Sequence, residues 1–248
     1  MLVSIVIATY NSAKTLRRCF DSIIPQLKED CELIVIDGGS KDGSLGIINE
    51  YTNSIAYTIS EPDKGVYDAW NKAIVKSHGE WITFIGSDDK MLPGALDLYR
   101  KFLELHGSDY DIVTGKVHFV SEDGKLIKDL GEPFDWLKLV KRKYNLAHPG
   151  MLHNRKCFER FGMFDLRYKI CGDTEFLQRL GPDVKAGFID EFLVNMQIGG
   201  LSGGWKTFWE SFLIRYRQGH LSKVTVIFMY FKFYCELLSN KIKNTIRC

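Results

Sequence analysis

Three short apolar runs constrain this chain most, because each ends in a cluster of small polar and acidic residues. Residues 2–8 close on Thr9-Tyr10-Asn11-Ser12. Leu33-Ile34-Val35-Ile36 closes on Asp37-Gly38-Gly39-Ser40, and Trp81-Ile82-Thr83-Phe84-Ile85 closes on Gly86-Ser87-Asp88-Asp89. Runs of this length and character suit strands buried on both faces. Between the first two, Leu16, Cys19, Phe20, Ile23, Ile24 and Leu27 recur at helical spacing, with Asn11 or Ser12 as the expected N-cap. Further helices are expected near 45–51 and 66–76, with a strand at 55–60 and Pro93 opening the next helix. Strand–helix alternation implies an α/β fold with a mostly parallel sheet between helices. Ligands of such sheets bind beyond the carboxyl ends of the strands, where the polar clusters fall.

The pattern changes after residue 107. Strands at 112–120 and 125–128 flank the turn Glu122-Asp123-Gly124, as in a hairpin. Helices are expected near 136–141, 155–161 and 173–180. A strand pair at 186–189 and 192–197 then precedes the glycine-rich stretch 199–204. The last 44 residues read as two aromatic helices.

Each cluster has a plain structural reading beside a chemical one. Asp88-Asp89 is a helix-capping turn or a seat for a hard divalent cation, since adjacent carboxylates repel unless a cation offsets them. Asp37-Gly38-Gly39-Ser40 is a strand-to-helix turn, or a turn whose aspartate reads a base N–H. In the run 61–72, Asn71 and Lys72 are surface polar residues or contacts to phosphate or sugar, and Trp70 reads as core.

Taken in order, Ser4-Ile5-Val6-Ile7-Ala8-Thr9-Tyr10-Asn11, Val35-Ile36-Asp37-Gly38-Gly39-Ser40-Lys41-Asp42-Gly43, the stretch 61–72 and Phe84-Ile85-Gly86-Ser87-Asp88-Asp89 resemble glycosyltransferase family 2. The resemblance is clear over 1–100 and looser to about 204. The form Asp63-Lys64-Gly65-Val66-Tyr67-Asp68-Ala69-Trp70-Asn71-Lys72 resembles a branch that builds bacterial surface polysaccharides such as O-antigen and colanic acid. It implies a GT-A domain over 1–204, with a nucleotide-sugar half (1–106) and an acceptor half (107–204), and helices appended at 205–248. It implies an inverting transferase, forming a β linkage. The enzyme moves a hexose or N-acetylhexosamine from a UDP-sugar, with Mn2+ or Mg2+, onto a polyprenyl-diphosphate-linked saccharide.

Carried over by position, Thr9 and Asp37 hold the uracil, Asp63 the nucleoside, Asp88 the donor's ribose or sugar, and Asp89 the metal. Gly86 stands where many members have another aspartate, which implies a thinner metal site. Asp173 in Cys171-Gly172-Asp173-Thr174-Glu175-Phe176 falls on the catalytic base, with Gly172 in place of the usual glutamate. Its plain reading is a helix cap, and a helix-start aspartate is expected to have a lowered pKa. His148 lines the acceptor side or is a buried loop histidine. Ser202 and the 199–204 stretch contact the donor diphosphate or form a linker. A nucleotidyltransferase is the enzymatic alternative, although Thr9-Tyr10-Asn11-Ser12-Ala13-Lys14 is not a phosphate loop. A catalytically inactive nucleotide-sugar-binding protein is the non-enzymatic one.

Charge is uneven. The chain carries net +2, yet residues 205–248 hold eight cations against two glutamates, leaving −4 for 1–204. That basic tail, rich in Trp, Phe and Tyr, contacts the inner membrane surface, caps the core or forms a homodimer. Its apolar run 224–234 is too short to span a bilayer. No basic–aromatic nucleic-acid motif is present. None of the six cysteines forms a Cys-x-x-Cys pair, and the chain opens on a strand without a leader. The expectation is a cytoplasmic, reduced protein, peripheral on the inner membrane face.

Overall fold

A computed structural model describes residues 3–106, 109–199 and 205–246, with side chains as far as 235. The order is β1 (Val3–Thr9), α1 (Leu16–Ile23), β2 (Cys31–Asp37), α2 (Ser44–Glu50), β3 (Tyr57–Ser60), α3 (Val66–Lys76), β4 (Trp81–Gly86), β5 (Lys90–Met91) and α4 (Ala95–His106). There follow β6 (Ile112–Val120), β7 (Leu126–Leu130), α5 (Trp136–Val140), β8 (Leu152–Asn154), α6 (Arg155–Phe161), α7 (Gly172–Arg179), β9 (Ala186–Gln197), α8 (Trp205–Gln218) and α9 (Lys223–Ile246). The chain divides into two compact units, Met1–Leu201 and Ser202–Cys248.

One sheet runs through the first unit in the order β3-β2-β1-β4-β8-β6-β9-β5, with β7 on β6. Pairing is parallel among β1, β2, β3 and β4 and between β6 and β9. It is antiparallel where β8 joins β4 to β6, and at β5 and β7. Alternation along β1 sends Val3, Ile5 and Ile7 to one face, against Phe20, Ile23, Leu96 and Tyr99. Val6 goes to the other, with Tyr67, Ala73, Phe158 and Phe176. Helices therefore cover both faces, as the α/β GT-A reading expects.

Four local expectations are corrected. Neither Asn11 nor Ser12 caps α1; its N-cap is Thr15, which makes no side-chain cap bond. Asn11 adopts a left-handed backbone (φ 51°), and its Oδ1 accepts the Lys41 N–H at 2.9 Å, clipping the first loop to the second. Pro93 does not open α4. The backbone after Asp89 first pairs with β9, Lys90 opposite Asn195 and Met91 opposite Val194, so the helix is delayed to Ala95. Residues 186–197 are one bulged strand, both parts parallel to β6, with the register shifting around Lys116. The missing side chain of Gly115 makes the room that Leu193 occupies at this bulge. Leu152–Asn154, unforeseen as a strand, wedges antiparallel between β4 and β6.

Candidate active site

Parallel register aligns the site. Thr9 pairs with Asp37, Ala8 with Gly86 and Asp37 with Ser60, so the polar clusters leave one sheet edge at one level. The loops are then tied together: Ser12 and Ser87 share a hydrogen bond of 2.8 Å, and the Asn11 N–H donates to Ser40 Oγ at 2.7 Å.

Asp37 is fully buried and well supplied with donors. Its Oδ2 accepts from the N–H groups of Gly39 (3.1 Å) and Ser40 (2.9 Å) and from Ser60 Oγ (2.6 Å); its Oδ1 accepts from Ser40 Oγ at 2.5 Å. Beside it, Asp63 Oδ1 accepts the Gly65 N–H at 2.8 Å. A Cβ on Gly38 would stand 2.7 Å from Asp63 Oδ2, so the glycine is what lets that carboxylate lie over the turn. Thr9 is 3% exposed, and its hydroxyl has no partner among the described residues. A buried hydroxyl left so is costly unless something arrives to bond it.

The Asp88-Asp89 pair is poorer in donors. Asp89 is buried; Oδ1 accepts the Gln197 N–H at 3.0 Å and Oδ2 the Gly86 N–H at 3.1 Å. Loss of water, followed by the Asp88 charge, pushes its pKa up to about 7 despite those two bonds. Burial also raises that of Asp88. Arg18 stands nearby, donating to the Asp88 carbonyl at 2.6 Å and to Gln197 Oε1 at 2.7 Å. A Cβ on Gly86 would lie 2.7 Å from both Asp88 Oδ1 and Asp89 Oδ2. A side chain at 86 would have to displace the ends of these two carboxylates.

Two crowded carboxylates with raised pKa values are a fitting seat for a divalent cation, which would offset both charges. No cluster of three or more His, Cys, Asp or Glu ligands occurs among the described residues. A cation here would therefore complete its shell with phosphate oxygens and water.

On the far side, Asp173 lies in the first turn of α7, two residues past the N-cap, Cys171. Its Oδ1 accepts the Thr174 N–H at 2.7 Å and the Tyr67 hydroxyl at 3.2 Å. Its pKa is raised, not lowered as expected of a helix start, because desolvation outweighs those bonds. Tyr67 was not singled out as a site residue, yet it organises this corner. Its hydroxyl also reaches the Ile170 carbonyl at 2.8 Å, and a Cβ on Gly172 would stand 2.8 Å from its ring. The tyrosine thus takes the room that a glutamate at 172 would need. The signal for it was present in the run 63–72, but only the fold shows the reach to α7.

Asn71 and Lys72 both have partners within the protein. Asn71 brackets the Phe164 backbone, its amide N–H donating to the carbonyl at 2.9 Å and its Oδ1 accepting the N–H at 3.0 Å. Lys72 Nζ is held by Glu61 Oε1 at 2.7 Å. Asn71 looks available in sequence because its partner, Phe164, comes from elsewhere in the chain. His148 stacks on Trp70 with centroids 5.0 Å apart. Burial pushes its pKa down to about 3, so the ring is neutral. His148 Nε2 and Trp70 Nε1 are buried without partners among the described residues. Ser202 and positions 200–204 lie outside the described residues.

Comparison with known proteins agrees with this geometry. The family model described as glycosyl transferase family 2 matches residues 4–171. A PGL/p-HBAD biosynthesis glycosyltransferase of Mycobacterium bovis is 32% identical over 179 residues, covering 71% of this chain and 68% of that protein. The chondroitin synthase of Pasteurella multocida is 33% identical over 148 residues, 59% of this chain but 15% of that one. In fold, the chain is similar to S. aureus TarS 1-349 in complex with UDP-GlcNAc, with a TM-score of 0.72 at 20% identity, covering 94% of this chain and 72% of that one. GalNAc-T7 with UDP, GalNAc and Mn2+ follows at 0.65 and 16% identity, covering 86% and 47%.

The glycines make the site's packing testable. Gly86→Ala and Gly172→Ala are each expected to lower stability by about 1–3 kcal/mol through overpacking. Gly46→Ala, inside α2 where a Cβ meets nothing within 4 Å, is expected to raise it by roughly 0.5–1 kcal/mol. Urea titration of the three variants checks the contrast, and equal effects would remove the packing argument.

Proposed function

The chain belongs to glycosyltransferase family 2, and from that premise we propose that it moves a hexose or N-acetylhexosamine from a UDP-sugar to an acceptor hydroxyl by one inverting displacement. The observation that carries the reading is the half-buried Asp173 carboxylate, with its pKa raised by desolvation and hydrogen-bonded by Tyr67. A base needs a pKa near the working pH to take a proton effectively, and desolvation moves Asp173 that way. The acceptor oxygen attacks C1 as its proton passes to Asp173. The bond from C1 to the diphosphate oxygen breaks, and UDP leaves. Attack opposite the leaving group inverts C1, so an α-linked donor gives a β linkage.

In this reading the unpartnered Thr9 hydroxyl and the remaining lone pair of Asp37 Oδ1 meet the uracil. Asp63 holds the nucleoside, and Asp88 the donor's ribose or sugar. Asp89, held by its two backbone bonds, would bind Mn2+ or Mg2+. The cation supplies charge neutralisation for the diphosphate. The Mn2+ bound in the fold-related GalNAc-T7 supports this assignment. Asn71 and Lys72 are reassigned from donor contact to positioning. His148, neutral and with Nε2 open, faces the acceptor side. The acceptor is a polyprenyl-diphosphate-linked saccharide at the cytoplasmic face of the inner membrane, in surface-polysaccharide synthesis. Support comes from the polysaccharide synthase among the relatives and the basic, aromatic residues 205–248. No helix among the described residues is long and apolar enough to cross a membrane.

Asp173→Asn is expected to lower transfer by 10²-fold or more, on the order of what a lost general base costs, with UDP-sugar binding unchanged. Transfer is read by mass on a synthetic diphosphate-lipid saccharide and binding by calorimetry; wild-type turnover in the variant would refute the assignment. Tyr67→Phe removes a bond that favours the ionised base. The base pKa should therefore rise, and activity should begin to fail at a higher pH on the acid side of the kcat/KM profile. Metal binding carries its own pH signature. Asp89 takes up a proton below about 7, and proton and metal compete for it. Mn2+ affinity is therefore expected to fall about tenfold per pH unit below that point. A pH-independent affinity in calorimetry would exclude Asp89 as the ligand.

A further inference from the structure

Over residues 223–235, two sides of α9 are apolar. On one, Val226 and Tyr230 are buried with Phe233 beside them, packed on Phe208 and Phe212 of α8. At 3.6 residues per turn, Val224, Ile227, Phe228 and Phe231 fall away from that side. All four are exposed, Val224 at 77% and Phe228 at 69%. Lys223 and Lys232 fall on the two borders of this stripe, both exposed. Residues 211–235 contain no aspartate or glutamate.

We propose that this stripe of α9 is a docking face for an anionic lipid surface, with Phe228 and Phe231 inserted among the acyl chains and Lys223 and Lys232 at the headgroups. An apolar band bordered by lysines is the pattern of a helix lying in the interface plane. The lysine stems run along apolar surface while their ammonium groups stay in water. Charge argues against a second copy as occupant, because pairing this stripe with itself sets lysines near lysines with no acid on the face to answer them. The inference deepens the lipid-linked acceptor reading and rests on it only for the site of action.

The test is flotation of the full chain with phosphatidylcholine vesicles, with and without phosphatidylglycerol. Strong binding is expected only with the anionic lipid. Lys223→Gln with Lys232→Gln is expected to weaken it about 30-fold, from about 1 kcal/mol per cation. Phe228→Ser with Phe231→Ser is expected to abolish it, with helix content unchanged by circular dichroism because both side chains are exposed. Absent flotation, wild-type flotation of the phenylalanine variant, or indifference to lipid charge would each overturn the proposal. So would a concentration-dependent dimer that the phenylalanine variant dissolves while vesicles stay unbound. Transfer to a soluble acceptor analogue, read in the same preparations, separates the two ideas. Transfer without flotation overturns the docking alone, and flotation without transfer overturns the catalytic reading alone.

Discussion

The parallel pairing of β1 with β2 and β4 is the constraint on which the site depends. It puts Thr9, Asp37 and Gly86 at one height, so loops from three strands deliver carboxylates to one edge. That edge accumulates negative charge from Asp37, Asp63, Asp88 and Asp89. How each charge is met separates their roles. Asp37 takes four donors from its own turn and from Ser60 and is held rigidly in place. Asp89 has two backbone donors at 3.0 and 3.1 Å and an unfavourable neighbour, and its pKa climbs to about 7. A cation is drawn to the pair with the largest unmet charge, not simply to the most acidic stretch of sequence.

Absent side chains shape the same site. At Gly38, Gly86 and Gly172 the room of a missing Cβ is taken by another segment: Asp63, the carboxylates of Asp88 and Asp89, and the Tyr67 ring. The last two positions are where the chain departs from the pattern of its family. A side chain at either place would meet what now fills it: the ends of Asp88 and Asp89 at 86, and the Tyr67 ring at 172.

Much of the fold was legible in the sequence because burial leaves periodic signatures. The apolar runs located β1, β2 and β4, and β6, α3 and α6 have the expected ends. What was not legible depends on distant partners. β5 and β8 have two and three residues, too few for any period, and exist because β9, β4 and β6 pair with them. The polar pair Asp190-Glu191 reads as a turn, although the chain only bulges there and keeps to β6. Within the site, the positions of the acids were legible but their ionisation was not. The dipole argument for Asp173 counts only the helix end, whereas desolvation is set by residues packed from elsewhere.

The same distant contacts tie the two sides of the site into one mechanical unit. The run 63–72 carries Asp63 over the turn at Gly38, and it grips the segment before Asp173 at three places. Asn71 brackets the Phe164 backbone, the Lys64 carbonyl accepts from Lys169 Nζ at 2.7 Å, and Tyr67 reaches both Ile170 and Asp173. Contacts at three places along a helix and its preceding loop resist both sliding and rotation, which a single contact would allow. The position of Asp173 is therefore set by contacts from about a hundred residues earlier in the chain. This gives a physical reason for a run so dense in polar groups to spend Asn71 and Tyr67 on the protein itself.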